Sequence, residues 1–180
     1  MDPSGSSLNR VAVEATLHCL TGCAIGEIAG MAIGTAVGLS DGATIALAIA
    51  LAFLFGYTLT SIPLLRAGLP PRRVVRLAFA SDTLSIAIME IVDNLIMVVV
   101  PGAMAAGLGS LLFWGSLSFA LAVAGVIAVP VNRWLIGRGK GHAVIHETGV
   151  HGGVPPQLAG TVAAAMGLFG AIVLVGEVLA

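Results

Sequence analysis

The sequence predicts an all-α, polytopic membrane bundle of about five transmembrane helices, and three observations carry that reading. Of the 180 residues, 58% are hydrophobic and only 9% are charged, against about 25% charged in an ordinary soluble domain. The mean hydropathy is +1.06, too apolar for the chain to cover itself with polar surface in water. The apolar residues also fall in runs of the ~20 residues that a spanning helix needs. Five such runs are present: Val11–Leu39, Ala43–Leu65, Val74–Val100, Leu108–Val131 and Gln157–Leu179.

Each run ends on a recognisable signal. The first stops at Ser40-Asp41-Gly42, the second before Arg66 and Pro70-Pro71, and the third at Pro101-Gly102, all turn-forming combinations. Pro63 and Pro130 read as terminators or kinks near helix ends. Trp114 and Trp134 fall near the two ends of the fourth run, where interfacial aromatics collect. No cleavable signal peptide is expected, because the first apolar run is too long for one.

The eight Lys and Arg residues set the orientation. Arg10 precedes the first run, Arg66, Arg72, Arg73 and Arg76 lie between the second and third, and Arg133, Arg138 and Lys140 follow the fourth. Cationic residues collect on the cytoplasmic side, so five spans with a cytoplasmic N-terminus place all eight on one side. The chain is then one domain, with a cytoplasmic His-containing loop at 137–156, and its expected location is a bacterial inner membrane. Such a distribution is not a nucleic-acid footprint, which needs a basic patch on a soluble face.

The first helix carries two adjacent stripes. Gly22, Gly26, Gly30, Gly34 and Gly38 recur every four residues, a small-xxx-small face for close helix packing that also leaves room for a homodimer or larger homo-oligomer. Beside it run Cys19, Cys23, Glu27 and Met31, with His18 next to Cys19. At about 100° per residue, His18, Cys19, Cys23 and Glu27 share one sector that faces into the bundle. Thiol, imidazole and thioether donors favour Cu(I), with Zn(II) second. The bland alternative is that both cysteines merely pack, as Cys often does. A disulfide is not expected: side chains four apart lie about 5–6 Å apart, wider than the ~3.5–4.5 Å between Cβ atoms that the bond requires.

The third run holds Asp82, Glu90, Asp93 and Asn94 together with Met89 and Met97. One Asp at mid-membrane disfavours insertion by about 2.5–3.5 kcal/mol, so these groups must face inward and be protonated, cation-bound or hydrogen-bonded. Met89, Glu90, Asp93 and Met97 extend the metal-ligand set, while Asp82, Glu90, Asp93 and Asn94 are candidates for proton relay or charge balance. First and third helices run the same way, which sets Cys19 and Cys23 near Asp82 to Ile86 and Glu27 near Glu90. In the loop, His142, His146 and His151 form an accessory metal set, or else are incidental histidines in a solvated segment. No nucleophile elbow, phosphate loop or HExxH pattern occurs, which weighs against an enzyme.

The stretch His18-Cys19-Leu20-Thr21-Gly22-Cys23-Ala24-Ile25-Gly26-Glu27 resembles the signature of a family of small bacterial membrane proteins of unknown function. So do Ser81 to Ser85, Met89 to Asn94 and Arg138 to Val144. The resemblance groups these motifs as one functional unit and implies no catalytic role. The expected function is binding, and transport or hand-over, of a transition-metal ion. A proton-coupled transporter of another small solute, built on the third-helix carboxylates, is the alternative. A redox or haem-associated membrane component is a third.

Overall fold

The computed structural model describes residues 5–150 and 156–179 and is helical, with no strand among them. In chain order, α1 is Gly5–Val37, α2 Asp41–Arg66, α3 Pro71–Val99, α4 Leu111–Ile136, α5 Ala143–His146 and α6 Pro156–Leu179. Helix α1 is the centre of the bundle: it packs most extensively on α2, and also touches α3, α4 and α6. Helix α6 lies against α4 and α1, with most of its residues exposed.

Small residues explain the α1–α2 contact. Gly22, Gly26 and Gly30 meet Gly56, Ala52 and Ala48, so that even a methyl at Gly22 would come within 2.7 Å of the Gly56 Cα. The glycine stripe is thereby taken up by α2 of the same chain. Gly38 is an exception, standing in the α1–α2 turn at φ +69° with no neighbour, a conformation glycine tolerates and other residues do not.

Several helix boundaries differ from the sequence expectation. Helix α1 begins earlier, at Gly5. Helix α4 begins at Leu111, with Ser110 Oγ accepting from the Leu112 N–H at 3.2 Å as its cap, and continues to Ile136. Pro130 therefore lies inside α4, and Pro63 inside α2. A proline late in a helix removes one hydrogen bond, and neighbouring helices in a bundle sustain the remainder.

Among the described residues, four helices are long and apolar enough to cross a membrane: Leu8–Val37, Asp41–Arg66, Leu111–Ile136 and Gln157–Gly176. Helix α3 has the length, but Asp82, Glu90 and Asp93 lower its apolar character. Its arrangement is inside-out relative to water. Ser81, Asp82, Ser85, Glu90 and Asp93 are buried, while Val75, Phe79, Leu84, Ile91, Leu95, Val98 and Val99 are exposed. An apolar exterior over a polar interior is what lipid selects and water disfavours.

Candidate functional site: a buried His-Asp-His cluster and a polar ladder

The polar residues of α1 and α3 gather along one internal line. At one end, His18 of α1, Asp82 of α3 and His142, just before α5, each offer a ligating atom, all within 4.8 Å of one another. The three are buried, at 0%, 0% and 6% exposure respectively.

Asp82 is the hub. Its Oδ2 accepts from the Thr60 hydroxyl at 2.5 Å, and its Oδ1 accepts from the Ser81 hydroxyl at 2.7 Å. His142 Nδ1 lies 3.2 Å from the same Oδ1. His18 Nε2 stands 2.7 Å from Thr60 Oγ1. A hydroxyl has one hydrogen, which Thr60 gives to Asp82, and His18 also meets the Gly56 backbone. The two imidazoles meet edge to face, centroids 5.0 Å apart.

The fold of the segment after α4 brings His142 there. Gly139 and Gly141 adopt φ +67° and +59°, reversing the chain so that α5 folds back against α3. Ile145, 1% exposed, then packs in a small apolar cluster with Leu64 of α2 and Val74 of α3. His142 is thus an interior residue, not part of a solvated loop. The His146 backbone closes α5, and His151 lies outside the described residues.

Moving up the bundle, Cys19 stands beside Asp82 and Ser85. Asn132 of α4 donates to Thr16 Oγ1 at 2.9 Å and to Ser85 Oγ at 3.0 Å. Cys23 faces Glu90 and Glu27. Asn94 then donates to Glu27 Oε1 at 3.0 Å and to Glu90 Oε2 at 3.3 Å, with Asp93 adjoining Glu27. Both cysteines are free and buried. Met89 and Met97 lie in the main apolar core with Cys19, Cys23 and Met31, and none of these sulfur residues belongs to the His-Asp-His group.

Thr60 and Asn132 were not singled out from the sequence, and Ser81 and Ser85 entered only as part of the motif Ser81 to Ser85. For Thr60 a signal existed: Thr44, Ala48, Ala52, Gly56 and Thr60 recur every four residues on α2, the small-residue counterpart of the α1 stripe.

Fold and ladder together define an all-α bundle with apolar, span-length helices around a line of buried ionisable groups. The chain belongs to the family described as "Domain of unknown function (DUF4396)", whose model matches residues 8–141. That match takes in every residue of the ladder up to Gly141 and ends just before His142. No curated protein and no solved structure matches the chain.

Proposed function

We propose that this is an integral membrane protein of five spans, N-terminus cytoplasmic, in a bacterial inner membrane, and that it binds and hands on a divalent transition-metal ion. The observation that carries the reading is the convergence of His18, Asp82 and His142 from three separate parts of the chain on one buried spot. Two imidazoles and a carboxylate suit Zn(II) and its neighbours better than Cu(I), which prefers sulfur. Three protein ligands leave a fourth position open, as in exchangeable sites and unlike closed structural ones. The fifth span is α3, supported by its apolar exposed face and by the one-sided distribution of Lys and Arg.

Ligand atoms about 2.0–2.1 Å from a tetrahedral ion sit roughly 3.3 Å from one another, and His142 Nδ1 already stands 3.2 Å from Asp82 Oδ1. The ion would replace the Thr60 bridge and the His142–Asp82 contact. Because His142 rides on the fold-back segment, docking of α5 and coordination of the ion are linked: each stabilises the other. Cys19, beside Asp82, is the nearest sulfur for the fourth position.

Co(II) titration of the purified protein tests this, since a tetrahedral site with nitrogen and oxygen donors gives visible ligand-field bands. The bands should appear at one equivalent in the wild type and be absent from His18→Ala and Asp82→Ala; bands of wild-type intensity in both would overturn the assignment.

The alternative, a proton-coupled transporter of another small solute, is favoured by one observation: Glu27, Glu90 and Asp93 are buried with no Lys or Arg among them. In that case Asp93→Asn abolishes transport while His142→Ala does not.

A further inference from the structure

The upper end of the ladder differs in kind from the His-Asp-His cluster. Glu27, Glu90 and Asp93 are 3%, 3% and 1% exposed. Glu27 and Glu90 share the Asn94 amide as donor, its two hydrogens facing Glu27 Oε1, Glu90 Oε2 and the Glu90 backbone carbonyl. Both oxygens of Asp93, and Oε1 of Glu90, meet no donor among the described residues. The remaining titratable neighbours are the thiols Cys23 and, one turn further, Cys19. What α2 and α4 add to the same core is apolar: Ala52, Leu117, Ala120, Leu121 and Ala124. Along α3 the nearest cationic residue is Arg76, about 21 Å from Glu90 at ~1.5 Å per residue.

Three ionised carboxylates in that setting would leave the bundle with an uncompensated charge of several units, each unit disfavoured by about 2.5–3.5 kcal/mol at mid-membrane. A carboxyl O–H would remove one charge and at the same time supply the donor that the open oxygens lack. The donor-poor oxygens and the absence of a cationic partner thus call for the same ligand.

We propose that Glu27, Glu90 and Asp93 form a proton-holding site, in which carboxyl O–H groups donate to neighbouring carboxylate oxygens. Its role rests on the metal-binding reading: it is the station whose protons move against the ion held by His18, Asp82 and His142. Cys23 and Cys19 lie between the two ends. When a divalent ion passes upward, the carboxyl groups release protons and the charge inside the bundle stays nearly constant.

Infrared difference spectroscopy of the protein in lipid bilayers near neutral pH tests the site itself. The expected result is a carbonyl-stretch band of protonated carboxyl groups that shifts in D2O. It should fall in the isosteric variants Glu90→Gln and Asp93→Asn and persist in His142→Ala. Carboxylate bands alone, or a protonated band indifferent to both isosteric variants, would overturn the proposal. So would a band that vanishes on adding Na+ at constant pH, which would assign the site to an alkali cation. The coupling has a separate readout in vesicles loaded with a pH indicator and given Co(II). Glu90→Gln/Asp93→Asn should keep Co(II) binding and lose the proton signal. Failure of the metal reading would remove Co(II) binding from the wild type but leave the infrared band in place.

Discussion

The two ends of the buried ladder hold similar residue types in opposite states of satisfaction. Around Asp82, both carboxylate oxygens have partners, from Thr60, Ser81 and His142. Around Asp93, both oxygens are left open, and one amide serves two glutamates. The difference teaches what each end can do. A carboxylate ringed by hydroxyls and imidazoles is fixed in position, with nitrogen donors beside it that could share a cation. A group of carboxyls with one shared amide donor and no cation is suited to carry its own hydrogen. Burial alone is common to both; the neighbours decide the chemistry.

The largest expected effect comes from removing the hub. Asp82→Ala takes a ligand and the acceptor of two hydroxyls at once, so affinity for Zn(II) or Co(II) should fall by more than about 100-fold; loss of an orienting partner alone typically gives 10–100-fold. Competition with a chromophoric chelator measures it. His142→Ala should weaken binding by about 10–100-fold in a protein that still folds, because Leu64 and Val74 retain Ile145. If both variants bind as tightly as the wild type, the metal site at this end fails.

A substitution away from either end tests the scaffold that holds them in register. At Gly26 any side chain meets the Ala52 backbone, so Gly26→Val should destabilise the α1–α2 pair by about 1–3 kcal/mol or more, visible as a lower midpoint in thermal unfolding in detergent. Asn94→Leu removes the amide that Glu27 and Glu90 share and should destabilise by about 1–3 kcal/mol, with metal affinity unchanged. The smallest effect is expected for Cys23→Ser, less than about threefold on metal affinity, since its sulfur faces Glu90 and Glu27 and lies outside the His-Asp-His group. Cys19→Ser sharpens the choice of metal: a large loss would add sulfur to the site and return the preference to Cu(I).

Much of this was legible in residue order. Carboxylates in an apolar run must turn inward, and two helices running the same way must place Glu27 beside Glu90 and Asn94, as they do. Four-residue spacing of Gly22, Gly26 and Gly30 announced a close helix contact, though not that α2 would be its partner. What sequence periodicity could not give was His142. It sits in a glycine-rich stretch without helical or strand period, and its burial depends on two left-handed glycines and on Ile145 finding Leu64 and Val74, a long-range packing event. The two cysteines of one motif also diverge: Cys19 stays with His18 near Asp82, while Cys23 turns to Glu90 and Glu27. Helix α4 ran past Pro130 because neighbouring helices supported it, and Asn132 beyond that proline joined the ladder unannounced.

The central claim is that nitrogen and oxygen donors at one end of the bundle hold a metal ion while the carboxyl cluster at the other end does not. Elemental analysis of the protein purified in detergent without chelators tests it most directly, with wild type, His142→Ala and Glu90→Gln prepared side by side. The account predicts near-stoichiometric divalent transition metal in the wild type and in Glu90→Gln, and its loss from His142→Ala. Metal retained in His142→Ala but lost from Glu90→Gln would contradict it.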